Sequence, residues 1–375
     1  FDDLTQLGTY AKAPTTAGLP DPAVDLNAVA QSVAMNGGMP TIKNCIRCHA
    51  NAGGGDNVKH GDLAMELKNT TREYDVHMGT AASGGAGFEC TTCHTVQRVN
   101  NDLNGEMLSH GIGGLPYHSV DEGRMRGCDD CHSRATEHAG TTVETIVQTH
   151  DRLACQVCHI PTFARHTSTK TEWYWERAGQ VVDPIPVDPV TGRPTFDRKK
   201  GDFVWENNVR PELRYFAGTY EKMLIGANDT YTSEPVVLAE PVGSHIDAGA
   251  MIYPFKKMIG NQPADVVNGR ILVPHLFGPA GDTDKFWGNW DWDNALLAAA
   301  AVTGQPYTAG DYGFVSTEMY LSVNHEVAPS EQAYGYQNDC GDCHLGGQID
   351  WEALGWQVGP NPGDTADPTD GGVRP

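Results

Sequence analysis

The chain has 375 residues, with 43 glycines, 23 prolines and a formal net charge of −22, and it is long enough for two or three ordinary domains. A negative charge of this size argues against nucleic acid or an anionic membrane surface as the partner. No apolar run in the sequence reaches the length of a membrane span, and the glycine and proline content predicts short helices joined by many loops.

Residues 1–40 contain neither cysteine nor histidine, and residues 11–22 are rich in Ala, Thr, Pro and Gly. We predict an extended arm, which is either a loose terminus or a strap that packs on the rest of the chain or on a neighbouring subunit. The chain begins at Phe1 rather than at a methionine. A removed secretory signal would explain this beginning and would place the protein in the periplasm or outside the cell.

Residues 41–165 contain four copies of the pattern Cys-x-x-Cys-His, and a fifth copy follows near the C-terminus. Together the five motifs use all ten cysteines: Cys45-Cys48-His49, Cys90-Cys93-His94, Cys128-Cys131-His132, Cys155-Cys158-His159 and Cys340-Cys343-His344. In c-type cytochromes the two thiols of this motif bind the haem vinyl groups, and the histidine supplies the proximal nitrogen to iron. The sequence therefore predicts five covalently attached haem c groups. Because this attachment takes place outside the cytoplasmic membrane, the motifs also predict export.

Three other interpretations of the cysteines fit less well. A tetrahedral zinc site needs four ligands and does not require a histidine after every second cysteine. A thioredoxin-like redox motif uses one Cys-x-x-Cys in a βαβ context that is absent here. A disulfide framework would not place all the cysteines in pairs of this spacing. Haem attachment is the favoured interpretation.

Two helices are predicted in the four-motif block. A short helix covers about 62–68, and a longer one covers about 142–153, where Thr141 and Glu144 have the spacing of a capping box. His150 falls on the apolar face of the longer helix. Such a histidine is usually a packed core residue, but this helix leads directly into the fourth motif, so we predict that His150 binds iron.

Residues 166–339 contain no haem motif and hold six of the eight tryptophans. We predict a long wrapping segment of irregular loops with a few short strands. One helix is predicted at 291–302, followed by a glycine stop, and another at 316–325, which would carry His325. Residues 340–375 would hold the fifth haem and a poorly ordered tail. The predicted fold class is a multihaem cytochrome c of mainly short α-helices and loops wrapped around a haem chain, with little β structure.

Histidines outnumber the proximal positions. Besides the five motif histidines the chain has ten more: His60, His77, His110, His118, His138, His150, His166, His245, His275 and His325. Five haems need at most five distal ligands, so the chain has enough histidines to supply two at every iron. Methionine is the competing distal ligand and would raise the reduction potential. An iron with two histidine ligands has no open position for a substrate and can only pass electrons.

Several stretches carry a resemblance to a known family, and they span most of the chain: Cys45–His49, Gly53–Asp56, Lys59–Asp62, Asp75–Met78, His150 with Ala154–Pro161, Phe203–Trp205, Tyr253–Lys256, Val273–His275, Tyr312–Tyr320 and His325–Pro329. With these residues the chain resembles the octahaem tetrathionate reductase family of multihaem cytochromes, which is related to hydroxylamine oxidoreductase. Members of that family carry three further haems upstream, and one of these is the catalytic haem, with lysine in a Cys-x-x-Cys-Lys motif. This sequence has no such motif, so it resembles the electron-relay half of the family.

The resemblance also implies distal ligands. The positions that look like distal ligands in the family, together with His110 as a candidate whose surroundings diverge, are His60, His77, His138, His150 and His325. A histidine beyond the number of haems would be a plain core residue, or it would bind a haem of a neighbouring subunit.

The favoured hypothesis is an exported five-haem electron-transfer cytochrome with no catalytic residue, active in anaerobic respiration. Its partners would be other redox proteins or extracellular electron acceptors, and head-to-tail self-association would build a conductive filament. The alternative is a haem-dependent reductase of a sulfur or nitrogen oxyanion, which needs an iron with an open position. A structural zinc protein is a third hypothesis, and it predicts zinc and no red colour.

Overall fold

The structure is a computed structural model that describes residues 40–94, 125–223, 229–335, Cys343 and 349–355. Its helices are α1 Ile42–His49, α2 Cys90–Cys93, α3 Arg134–Glu137, α4 Glu144–Thr149, α5 Cys155–His159, α6 Phe286–Asn289 and α7 Trp292–Thr303. Its strands are β1 Thr169–Tyr174, β2 Phe196–Asp197, β3 Gly201–Glu206, β4 Glu212–Phe216, β5 Thr219–Lys222, β6 Val236–Val242, β7 Met251–Asp265, β8 Arg270–Ile271 and β9 Tyr312–Ser322. The predictions for the N-terminal arm, the C-terminal tail, His110, Cys340 and His344 lie outside the described residues.

The segment that we expected to be irregular is a mixed sheet. Its nine strands run in the order β2-β3-β1-β7-β9-β6-β5, and β4 and β8 also pair with β7. The predicted fold class, mainly helices and loops with little β structure, is therefore wrong. One reason is visible in β7, the longest strand, which contains Pro254 and Pro263. Proline is rare inside central strands because it cannot donate a hydrogen bond to a neighbour, so the sequence argued against a strand here.

The helix predicted at 316–325 is also wrong, because this stretch forms most of β9. Strand β9 pairs with β7 in antiparallel register, from Phe255 opposite Ser322 to Asp265 opposite Tyr312. The spacing of Leu321 and His325 suggested one helical turn. Pairing with β7 along the whole strand outweighs that local preference, as tertiary context does in sheets generally.

The helix predicted at 291–302 is confirmed by α7. The side chain of Asp291 accepts a hydrogen bond from the Asn294 amide at 3.1 Å and so caps the N-terminus of α7. Gly304 ends the helix in the left-handed conformation, with φ of 73°. Leu296 is fully buried in a cluster with Phe286, so the apolar face of α7 packs against the short helix that precedes it.

The two helices predicted in the four-motif block are shorter than expected. Helix α4 covers six residues, and the Glu144 side chain accepts from the Gly140 amide at 2.8 Å. The capping box that we predicted between Thr141 and Glu144 therefore does not form. In place of the helix at 62–68 there is a 3₁₀ turn at Met65–Asn69.

The sheet is joined to the fourth motif at the start of β7. The Ala154 amide donates to the Ile252 carbonyl at 3.0 Å, and the Ile252 amide donates to the Arg152 carbonyl at 2.8 Å. Ala154 and Val157 are buried together with Ile252 and Trp351. The partly buried Cys343 packs against the same cluster, so one apolar core lies beside the fourth motif and the one described cysteine of the fifth.

Candidate functional site

The cysteines of the first three motifs lie next to one another. The Cys90 thiol is hydrogen-bonded to Cys45, and burial followed by this neighbour raises the pKa of Cys90 to about 12. Burial and then the nearby Cys131 raise the pKa of Cys93. The second motif therefore contacts the first through one of its cysteines and lies close to the third through the other.

The series continues through the last motifs. A hydrogen bond from Cys128 lowers the pKa of Cys155 to about 6, and the same contact, followed by burial, raises the pKa of Cys128. Burial and then Cys343 raise the pKa of Cys158 to about 11. The third motif thus contacts the fourth, and the fourth lies close to the fifth although the wrapping segment separates them in sequence. Motifs that are consecutive in the chain are therefore neighbours in space.

Three motif histidines face a second histidine outside the motifs. The distances between ring centroids are 6.3 Å for His94 and His325, 6.1 Å for His132 and His77, and 6.1 Å for His159 and His138. Two imidazoles on opposite sides of one metal ion, with each nitrogen about 2.0 Å from the ion and each ring centre about 1.1 Å farther out, have centroids about 6.2 Å apart. The three pairs therefore have a spacing at which the two histidines would hold one haem iron between them.

Two of these pairs are neighbours. Burial, followed by His138, His132 and His77, lowers the pKa of His159. Burial is also the largest cause of the lowered pKa of His77, and His132 contributes to it. Low pKa values keep these imidazoles neutral near pH 7, which is the form that binds a metal ion.

His325 lies immediately after β9 and is held by Asp62. A carboxylate oxygen of Asp62 accepts hydrogen bonds from the Asn324 amide at 2.7 Å, the His325 amide at 2.9 Å and the His325 Nδ1 at 3.1 Å. Burial is the largest single effect and would raise the pKa of Asp62, but the hydrogen bond and charge of His325, the Asn324 amide and nearby His60 together bring this pKa to about 2. For His325, burial is again the largest single effect and would lower the pKa, but Asp62, Asp75 and Glu326 together raise it.

Two other candidate ligands bind backbone carbonyls through the same ring nitrogen. His138 Nδ1 lies 2.8 Å from the Arg134 carbonyl oxygen, and His150 Nδ1 lies 2.9 Å from the Ile146 carbonyl oxygen. A hydrogen bond at Nδ1 fixes the tautomer and leaves Nε2 available for a metal ion. Each histidine directly follows a short helix, α3 or α4, whose last turn supplies the carbonyl.

A buried carboxylate connects the elements that carry His77 and His325. Glu326 is fully buried, with a positive φ of 63°, and accepts from the Tyr74 hydroxyl at 3.0 Å and from the amides of Ala164 at 3.1 Å and Arg165 at 3.0 Å. The Arg165 Nε lies 3.5 Å from Oε2, the carboxylate oxygen that also accepts from the Arg165 amide. Burial raises the pKa of Glu326 to about 8.

The sequence analysis missed Asp62, Glu326 and Arg165. Asp62 follows the candidate ligand His60 by two residues, and Glu326 directly follows His325. A carboxylate beside a candidate metal ligand is a usable signal, because ligating histidines commonly donate their second ring nitrogen to such a group. Arg165 carried no comparable signal.

Other predicted and spare histidines are placed as follows. His60 is close enough to Asp62 to contribute to the low pKa of that carboxyl. His166 stacks on Tyr74 at 4.5 Å. His275 Nε2 contacts Asp282 at 2.9 Å. His49 lies at the end of α1.

The fold has a solved relative. The structure of octaheme cytochrome c from Shewanella oneidensis matches 92% of this chain and 72% of that one, at 34% sequence identity and a TM-score of 0.70. The family described as bacterial cytochrome c matches residues 170–347, which include the sheet. In the described part of the chain, no helix is both long enough and apolar enough to cross a membrane.

A shorter match exists in an archaeon. An uncharacterized protein of Archaeoglobus fulgidus is 41% identical over 58 residues, which are 15% of this chain and 18% of that protein. This match covers too little of either chain to bear on the whole protein. The octaheme structure does bear on it, because both chains align over more than two thirds of their length. The chain belongs to the multihaem cytochrome c family, with covalently bound haem c as its redox group.

Proposed function

We propose that this chain is an exported five-haem cytochrome that passes electrons along a single series of irons. The observation that carries the proposal is the line of motif cysteines, in which Cys45 contacts Cys90 and Cys128 contacts Cys155, while Cys158 lies near Cys343. Cofactors attached to neighbouring cysteines are held close together. A close series of redox centres suits electron transfer rather than a single reaction at one centre.

The histidine pairs support two histidine ligands at three irons. When bound, haem supplies the one-electron redox centre, and the protein side chains hold its iron from both sides. We assign the pairs His94 with His325, His132 with His77 and His159 with His138 to the second, third and fourth motifs. For the first and fifth motifs the proximal residues are His49 and His344. Their distal ligands come from His60, His110 and His150.

The alternative of a sulfur or nitrogen oxyanion reductase requires an open position on an iron. At the second, third and fourth motifs a second histidine ring lies 6.1–6.3 Å from the ring of the motif histidine, which supports two histidine ligands at each of these irons. A substrate could not reach an iron held in this way. These contacts favour conduction over catalysis.

We also propose export and self-association. Covalent haem c attachment takes place outside the cytoplasmic membrane, which supports a periplasmic or extracellular location and partners that are redox proteins or extracellular electron acceptors. A series of haems can carry electrons from one molecule to the next when its two ends contact the ends of the series in other copies. A heterologous contact of this kind builds a filament. Electron microscopy of the purified protein tests this part, and particles that remain monomeric at all concentrations contradict it.

Haem counting tests the main proposal. A pyridine haemochrome assay combined with a protein assay should give five haems per chain. The double variant Cys128→Ser, Cys131→Ser should give four, because it removes one attachment site and leaves the others. The matched variant Thr91→Ala, Thr92→Ala, which changes only the residues between two motif cysteines, should still give five. A wild-type count other than five, or bound zinc without haem, contradicts the proposal.

A further inference from the structure

We infer that Asp62 lowers the reduction potential of the haem held by His94 and His325, because it accepts the Nδ1 hydrogen of His325. Asp62 is not itself proposed as an iron ligand. It acts through His325 as a positioning residue. The inference rests on the proposed function, since it takes His325 as an iron ligand.

The geometry fixes which nitrogen of His325 is available. One oxygen of Asp62 accepts from the His325 ring at 3.1 Å and also from the backbone amides of Asn324 and His325 at 2.7 and 2.9 Å. With Nδ1 bound to Asp62, Nε2 is the nitrogen left to bind a metal ion. Two further hydrogen bonds from the backbone hold the carboxylate still, so the orientation of the ring is determined by Asp62.

The acceptor on His325 differs from those on His138 and His150. His138 and His150 donate to the backbone carbonyls of Arg134 and Ile146. Asp62 is a carboxylate and only 2% exposed. Hydrogen bonds to a charged acceptor are roughly twice as strong as those to a neutral one, and they are stronger still away from water.

A stronger acceptor at Nδ1 raises the basicity of the ligating nitrogen. A more basic ligand stabilises ferric iron over ferrous iron, so the reduction potential of that haem falls. Hydrogen bonds to the ligands of the iron, and burial, are among the means by which proteins tune haem potentials. The second haem of the series should therefore have a lower potential than the fourth, whose distal His138 donates to a carbonyl.

The test is the variant Asp62→Asn, measured by spectroelectrochemical titration of the full haem-loaded chain. An amide oxygen can still accept the three hydrogen bonds, so the variant removes the charge and keeps the contacts. We expect one component of the titration to move to higher potential by at least about 59 mV, which is a tenfold change in a one-electron equilibrium. The other components should stay in place. Titration curves that coincide with the wild type overturn the inference.

A matched control separates the hydrogen bond from the general effect of a nearby charge. Asp75 is also buried and accepts from the backbone amide of Val327 at 3.2 Å and from that of His77 at 2.8 Å, and its carboxyl is hydrogen-bonded to neither histidine ring. The variant Asp75→Asn should shift the titration by clearly less than Asp62→Asn. Equal shifts would mean that charge alone is responsible, and they would overturn the role given to the ring contact.

Two further variants keep the inference testable. If the Asn variant does not assemble, Asp62→Ser removes the same charge with a smaller polar side chain and should also raise the potential. The variant His325→Ala separates this inference from the proposed function. It should convert one haem to the high-spin state. If all haems stay low-spin, the ligand assignment fails; if one becomes high-spin while Asp62→Asn leaves the titration unchanged, only the role of Asp62 fails.

Discussion

Replacing the buried Glu326 by alanine should lower the free energy of unfolding far more than replacing an exposed glutamate would. Glu326 accepts hydrogen bonds from the Tyr74 hydroxyl and the amides of Ala164 and Arg165, and it lies 3.5 Å from the Arg165 Nε. The variant Glu326→Ala leaves the three hydrogen-bonded donors without an acceptor and removes the charge beside the Arg165 guanidinium.

The size of the effect follows from those contacts. A buried donor that loses its partner costs about 1–3 kcal/mol. Three donors at the low end of that range give roughly 3 kcal/mol, since some of them would find water in the space left by the side chain. Glu326→Gln should cost about half as much or less. It keeps one acceptor oxygen, and because burial raises the pKa of Glu326 to about 8, a neutral side chain resembles the protonated carboxyl that is favoured there.

The assay is guanidinium unfolding followed by tryptophan fluorescence, which the haems quench in the folded state. The control is Glu331→Ala, because Glu331 is exposed and pairs with Arg72 at 2.7 Å on the surface. An exposed ion pair is worth about 0–1 kcal/mol. Equal losses of unfolding free energy for Glu326→Ala and Glu331→Ala would refute the claim that the hydrogen bonds of Glu326 stabilise the fold.

Three further changes have defined outcomes. Lys170 Nζ lies 3.0 Å from the centre of the Phe203 ring, and burial lowers its pKa from 10.5 to about 7. The Lys170 amine therefore binds its proton more tightly in the unfolded chain than in the folded one. As pH rises from about 7 to about 10, the unfolding free energy of the wild type should rise by about 2–4 kcal/mol relative to that of Lys170→Met. Parallel curves of unfolding free energy against pH, measured by denaturant unfolding, would contradict this. His138→Ala should make one ferric haem high-spin and let carbon monoxide bind after reduction, whereas His166→Ala should leave the absorption spectrum unchanged. Asp291→Ala should cost about 1 kcal/mol in the same unfolding assay, because it removes the cap of α7.

The sequence was most informative where local chemistry determines local structure. Asp291 and Gly304 predicted the ends of α7 to within one residue, because a capping side chain and a left-handed glycine act on their immediate neighbours. The motif cysteines and the coarse family followed from spacing alone. Which cysteines meet was not predictable, since Cys158 and Cys343 come together only through the fold.

The sheet was missed because its strands are stabilised by partners far away in the sequence. Strand β7 contains two prolines, and β9 contains a leucine and a tyrosine in positions that also fit a helix. Their pairing depends on residues about 50 positions apart, which no short window of sequence reveals. As a result, His325 lies just after the end of a strand rather than on a helix.

Low-temperature electron paramagnetic resonance of the fully oxidised protein tests the central claim most directly. Two histidine ligands at every iron predict low-spin ferric signals that integrate to five spins per chain, with no high-spin signal. A high-spin ferric signal from the native protein would show an iron with an open position. That result would contradict a pure electron relay and favour a reductase.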